Sequence, residues 1–204
     1  MQFITSREEL RAHYKAPGEG ALRKEMKALD RHAKGFIGRS PFVLIGSSDG
    51  NGNADVTPKG DKPGFVAVLD DKTIAIPDRP GNNRLDTLEN IVANPAVGLI
   101  FLIPGMDETL RINGEAKITA DAGLRERLHV EGKLPAATIV VSIKAVYMHC
   151  AKAFMRSQLW KLETWPDRAS LPTLGQILKD QLSLSGSAEE RDRELAEDYA
   201  QSMW

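Results

Sequence analysis

The chain is poor in the features that assign a sequence quickly. It has one cysteine, Cys150, in 204 residues, so no intrachain disulfide can form, and no Cys/His cluster has zinc spacing. It has no surplus of charge. With 27 cationic residues against 28 anionic, the net charge of −1 excludes binding to nucleic acid or an anionic membrane through bulk charge. It has no long hydrophobic run: residues 97–103 and 136–141 are strand-sized, far short of a bilayer span. The opening MQFITSREELRAHY lacks the apolar core of a signal peptide. These absences lead to the expectation of a cytoplasmic protein with neither membrane nor nucleic acid as partner.

What is present is ordinary globular composition, 42% hydrophobic and 27% charged, and a length that suits one domain. Ser6 followed by Glu9 predicts a capping box and a short helix. Leu22, Met26 and Leu29 predict an amphipathic helix over residues 21–33, ending near Gly35 with His32 in its last turn. FVLIGSS reads as a strand, Asp49-Gly50-Asn51-Gly52 as a hairpin turn, and the residues from Ala54 as the return strand. Residues 65–69 and 73–76 form a second hairpin around Asp70-Asp71. Residues 84–93 read as a helix with Leu85, Leu88, Ile91 and Val92 on one face, ended by Asn94-Pro95. Strands follow at residues 97–103, 109–119 and 138–150, with Asp121 capping a helix between the last two. The C-terminal part, residues 151–204, reads as helical. Six or seven hairpin-linked strands with helices at both ends describe a mainly β fold with flanking helices, a small antiparallel barrel. The interior of such a barrel fills with side chains, so a ligand belongs at its rim or at a subunit interface.

Among the motifs, Gly46-Ser47-Ser48-Asp49-Gly50 fits the hydrolase elbow G-x-S-x-G, but the strand runs into a hairpin turn rather than a helix. Lys59-Gly60-Asp61-Lys62-Pro63-Gly64 lacks the spacing of a phosphate loop and reads equally as a charged surface loop. Asp78-Arg79-Pro80-Gly81-Asn82-Asn83-Arg84 is more telling. It joins a strand to a helix N-terminus, where unpaired N–H groups, two amides and a guanidinium suit an anion. The competing reading is an asparagine cap beside a solvated arginine. Thr109, Arg111 and Asn113 alternate onto one face of a strand, either solvated or lining a polar site. His149-Cys150 reads as a core or interface pair. Lys152, Arg156 and Trp160 recur at helical spacing, as a solvated face or as reach toward a ligand.

Five segments, ADVTPKGDKPGFV, AIPDRPGNNRLDTLENIVANP, VGLIFLIPG, ETLRINGEAKI and MHCAKAFMRSQLW, together resemble the pyridoxamine 5'-phosphate oxidase-like FMN-binding split-barrel proteins. The resemblance covers about residues 42–160 and is nearest to a bacterial branch of unassigned substrate. It implies a six- to seven-stranded antiparallel split barrel, with the N-terminal helices (about 6–35) and C-terminal helices (about 151–204) packed on it. It further implies a homodimer with FMN at the interface. Asn82, Asn83 and Arg84 fall where the family holds the FMN phosphate, and Ile76 and Pro77 on the strand beside the flavin. Val66, Ala67 and Val68 match the strand whose backbone faces the ring. Thr109 and Arg111 fall where a polar side chain meets the flavin, and Thr57 and Lys59 belong to the branch's own T/S-P-K/R-G-D signature. Arg156 and Trp160 are implied to approach from the partner subunit.

The chain departs from the true oxidases, whose basic phosphate-binding pair is replaced by Asn82-Asn83. Their substrate segment has no counterpart in LETWPDRASLPTLGQIL, so vitamin B6 oxidation is not implied. The expectation is an FMN-dependent oxidoreductase of a small molecule, with NAD(P)H as candidate donor. The alternatives are a flavin carrier or sensor without turnover, and a split barrel using haem or a deazaflavin.

Overall fold

The computed structural model describes residues 1–203. Three short helices open the chain: α1 (Arg7–Ala12), α2 (Glu19–Arg23) and α3 (Arg31–Ile37). Ser6 caps α1 by accepting from Glu9 N at 3.0 Å, while the Glu9 carboxylate reaches back to Thr5 N rather than to Ser6. The expected helix over residues 21–33 does not form. Met26 instead makes an isolated antiparallel bridge to Val146, Leu29 N donates to Asp71 O, and Asp30 caps a new helix through Ala33 N. His32 therefore lies in the first turn of α3, not a last turn, and a cation there opposes the helix dipole.

The strands are β1 (Phe42–Ser48), β2 (Ala54–Gly60), β3 (Ala67–Asp70), β4 (Thr73–Asp78), β5 (Ala96–Leu102), β6 (Thr109–Thr119) and β7 (Ala137–His149). They form one fully antiparallel sheet in the order β2-β1-β5-β6-β7-β4-β3. With flanking helices this is an open split-barrel-like α+β fold. The β1–β2 turn is held by Asp49, whose carboxylate accepts from Asn51 N and Asn53 N, with Gly52 at φ +88°. Ser47 and Ser48 end a strand here, so the elbow motif has no helix behind it.

Alternation sorts the side chains. Val43 and Ile45 of β1, Leu99 and Phe101 of β5, and Leu110 and Ile112 of β6 enter the core with Ile74, Ile76, Ile139 and Val141. The opposite face of β1 and β5 presents Phe42, Leu44, Ile100 and Leu102, all half-exposed. Helix α3 packs on β6 and β7; α4 (Asp86–Ala93) packs on β1, β2 and β6. The remaining helices are α5 (Ala122–Arg127), capped by Asp121, α6 (Lys152–Ser157), α7 (Leu174–Leu182) and α8 (Ala188–Ser202). The last two pack mainly against each other, with Asp192 Oδ1 accepting from Gly175 N at 2.8 Å. Among the described residues no helix is long and apolar enough to cross a membrane.

Candidate functional site

The site forms where β2, the end of β4 and the start of α4 meet. Three side-chain hydrogen bonds fix α4 against the hairpin beneath it. Thr87 Oγ1 donates to Asp55 at 2.9 Å, Asn90 Nδ2 to Ser47 Oγ at 3.1 Å, and Asn94 Nδ2 to Ser48 Oγ at 3.0 Å. Helical spacing aligns the three donors along the side of α4 that faces the strands. The N-terminus of α4 is thus held over the edge of the barrel.

The helix begins two residues later than the sequence implied. Arg84 and Leu85 lie outside it, and Leu85, the N-cap, adopts a left-handed conformation with φ +62° and offers no side-chain cap. Asn83 is also left-handed, at φ +56°. Asparagine tolerates this region; for leucine it is a strained conformation that persists only where the surroundings hold it. Of the face expected to be buried, Ile91 is buried and Leu88 packs half-buried against the core, but Leu85 and Val92 are exposed and Thr87 is buried in their place. Arg84 N donates to Asn82 Oδ1 at 3.1 Å, closing a tight turn, and Arg84 Nε pairs with Asp86 at 2.8 Å.

The resulting pocket, ≈ 170 Å³, brings Thr57 and Lys59 of β2 together with Asn82, Asn83 and Arg84. Three carboxylates, Asp55, Asp78 and Asp86, line it as well. Each has a partner: Asp55 in Thr87, Asp78 in Lys59 at 2.6 Å, and Asp86 in Arg84. A third cation, Arg79, pairs outside this set with Asp61 at 2.7 Å and donates to Leu128 O at 2.9 Å. Its side chain also lines a second pocket, ≈ 220 Å³, that contains Ala67 and Phe65. Sequence reading singled out the motifs that hold Asp61, Asp78 and Arg79 but gave these residues no site role, and it gave none to Asp55. The signal for the first three is the complementary order of charge in Lys59-Gly60-Asp61 and Asp78-Arg79, which is not periodic and links distant strands.

The other implied residues lie elsewhere. Val66 and Ile76 are core residues, Pro77 is buried, and Val68 packs half-buried against the core. Thr109 is buried at the start of β6. Arg111 stacks its guanidinium over Tyr147, 5.5 Å from the ring centroid, and Lys24 covers the same ring at 5.7 Å. Burial, then the charges of Arg111 and Lys24, hold the pKa of His149 below its ordinary 6.5. Cys150 is exposed. The Lys152–Arg156–Trp160 stripe is broken. Helix α6 ends at Ser157, Gln158 turns left-handed, and Trp160 folds back to stack on Phe154 and donate to Met106 O at 3.0 Å. Arg156 remains exposed on α6. Among the described residues no group of three or more His, Cys, Asp and Glu side chains is placed to hold a metal ion.

Residues 29–150 match the family model described as pyridoxamine 5'-phosphate oxidase. Similar solved structures include HupZ of Group A Streptococcus, at 17% identity over 59% of this chain and 93% of that one, TM-score 0.48. Another is a candidate pyridoxamine 5'-phosphate oxidase of Lactobacillus delbrueckii, at 20% identity over 60% of this chain and 95% of that one, TM-score 0.47. No curated protein matches the chain significantly.

Proposed function

The chain belongs to the pyridoxamine 5'-phosphate oxidase family, and from that membership we propose that it is an FMN-binding oxidoreductase of a small molecule, working as a homodimer. One observation carries the reading: Asn82, Asn83 and Arg84 meet Thr57 and Lys59 at a helix start without a side-chain cap. First-turn N–H groups and the positive end of the helix dipole favour an anion there. The Arg84 side chain is 73% exposed, free to turn from Asp86 toward a phosphate that its planar fork matches.

At ≈ 170 Å³ the pocket is smaller than the roughly 300–1,000 Å³ of a usual small-molecule site. It fits the phosphate and part of the ribityl chain, and the flat ring needs a further surface. The half-exposed apolar face of β1 and β5 supports placing that surface on a second copy, with flavin between the two. Bound FMN would supply hydride or electron exchange with the substrate, and NAD(P)H is the expected donor. The chain supplies binding, orientation and exclusion of water.

The purified protein should be yellow, show a flavin absorbance spectrum and elute as a dimer. NADH or NADPH should bleach the colour, and air should restore it. A colourless monomer that takes up no added FMN would falsify the reading. A haem or deazaflavin spectrum would replace the cofactor, and a flavin that no donor bleaches would make the protein a carrier or sensor.

A further inference from the structure

A groove between α3 and the β5–β6 turn shares no lining residue with the pocket at α4. It measures ≈ 360 Å³, and its floor is apolar: Phe36 of α3, Ile103 and Met106 of the turn, and Met148 near the end of β7. Phe36 is buried and the other three are half-buried against the core.

The rim is cationic. Arg31 opens α3, and Arg39 stands in the turn just past its C-cap, Gly38, with His32 between them in sequence. Arg31 Nε donates to His32 Nε2 at 3.2 Å. Arg39 Nη1 donates to Gly35 O at 2.8 Å. Neither guanidinium pairs with a carboxylate among the described residues, in contrast to Arg79 and Arg84. Each fork keeps donors to spare. Gly35, one helical turn after Arg31 and bonded by Arg39 through its carbonyl, lines the groove and keeps its wall low. A Cβ there would already lie 3.1 Å from Arg39 Nη1.

An apolar trough that ends in guanidinium groups with no carboxylate partner among the described residues is matched by neither a neutral apolar guest nor a small ion. The first leaves the cations without a partner, and the second leaves the floor wet. We propose that this groove binds a carboxylate carrying an unbranched apolar chain. The chain lies along Phe36, Ile103, Met106 and Met148, and the carboxylate within reach of Arg31 and Arg39. Two thioether walls suit a flexible chain, since methionine adapts its shape to the guest. The proposal does not depend on the flavin reading, because the two sites share no residue.

The test uses the full chain with methyl-labelled methionine, whose six methionines report by NMR, and titrates decanoate against decanol. Decanoate should shift the Met106 and Met148 methyls saturably, and decanol should need about tenfold more to do the same, the contribution of charge-assisted hydrogen bonds. Arg31→Gln with Arg39→Gln, both on exposed side chains, should erase that difference and leave decanol unchanged. Gly35→Leu should block both ligands while the other methionine signals keep their positions. Equal midpoints for the two ligands would overturn the proposal, as would shifts spread over all six methionines or none. Shifts that follow protein concentration without ligand would give the groove to a second copy instead.

Discussion

Lys59 on β2 and Asp78 on β4 pair at 2.6 Å, although their strands lie toward opposite ends of the sheet. One residue beyond each strand, Asp61 and Arg79 pair in the opposite sense at 2.7 Å. Two ion pairs of reversed polarity therefore clasp the sheet where the barrel would otherwise stay open. The same clasp forms one wall of the candidate cofactor pocket, so closure of the fold and shape of the site are linked.

The clasp predicts an asymmetric response to mutation. The Asp61 side chain is 1% exposed, and Arg79→Leu would leave its carboxylate buried without a cation. That should cost about 3–5 kcal/mol in urea unfolding, the usual result of stranding one partner of a buried pair. Asp61→Asn added to the same chain should recover part of the loss. An Arg79→Leu chain as stable as the parent would show that the barrel closes by other means.

Arg84 should behave in the opposite way. It is largely solvated and its partner is Asp86, so Arg84→Ala should change stability by no more than about 0.5 kcal/mol. Its FMN affinity, read from quenching of flavin fluorescence, should fall about tenfold or more. Asp86→Asn should raise that affinity, because it frees the guanidinium and removes a negative charge from the pocket. If the Arg84→Ala chain binds FMN as the parent does, the phosphate lies elsewhere.

His149 gives a pH dependence of defined sign. Its pKa is lowered from 6.5 by burial, then by Arg111 and Lys24, so between the two values the folded chain binds fewer protons than the unfolded one. The stability tied to this group is full above the unfolded value and is lost as pH falls through the folded one. Comparing unfolding free energy at about pH 8 and about pH 5 should show the loss, and His149→Gln should flatten it. Asp49 and Asp70, whose values are lowered from 3.8 by hydrogen bonds, act only in a more acidic window. A profile that His149→Gln leaves unchanged would assign the dependence to another group.

The strands were legible in the sequence because their signals are local. Asp49-Gly50-Asn51-Gly52 fixes its own turn, and the alternation of β6 names its own buried face. The α4 site was legible in part, since Asn82, Asn83 and Arg84 adjoin a helix start that Asn94-Pro95 closes. The failures have long-range causes. Leu22, Met26 and Leu29 mimic one helix face, but the backbones of Met26 and Leu29 bond to Val146 and Asp71 far along the chain. Trp160 leaves its helical register because its indole finds a carbonyl at Met106. Lys59 reads as a free cation until the sheet curls and brings Asp78 to it. Propensity and periodicity carry no term for partners that only the curled sheet brings together.

The last prediction concerns the register break that orients the outer face. Along β6, Asn113 pairs with Ala145 but Gly114 pairs with Ile143, so Lys144 is an extra residue on β7. Its ammonium pairs with Glu115 at 3.3 Å on the outside. Beyond this bulge β7 switches the set of residues it turns inward, which is how Val146 and Ile143 both reach the core. The bulge brings the two backbones close. A Cβ on Gly114 would lie 2.4 Å from Ser142 O, an atom fixed in the β6–β7 ladder, and 3.0 Å from Val141 Cγ1. Gly114→Ala should therefore cost about 1–3 kcal/mol, as overpacking does. Gly81→Ala serves as the control, because a Cβ there meets nothing within 4 Å and φ is unexceptional. Its change should stay within about 0.5 kcal/mol. Thermal melts of the two variants decide the point: equal midpoints would mean that the strands can part at Gly114 without loss, and the bulge would not be what fixes the register of β7.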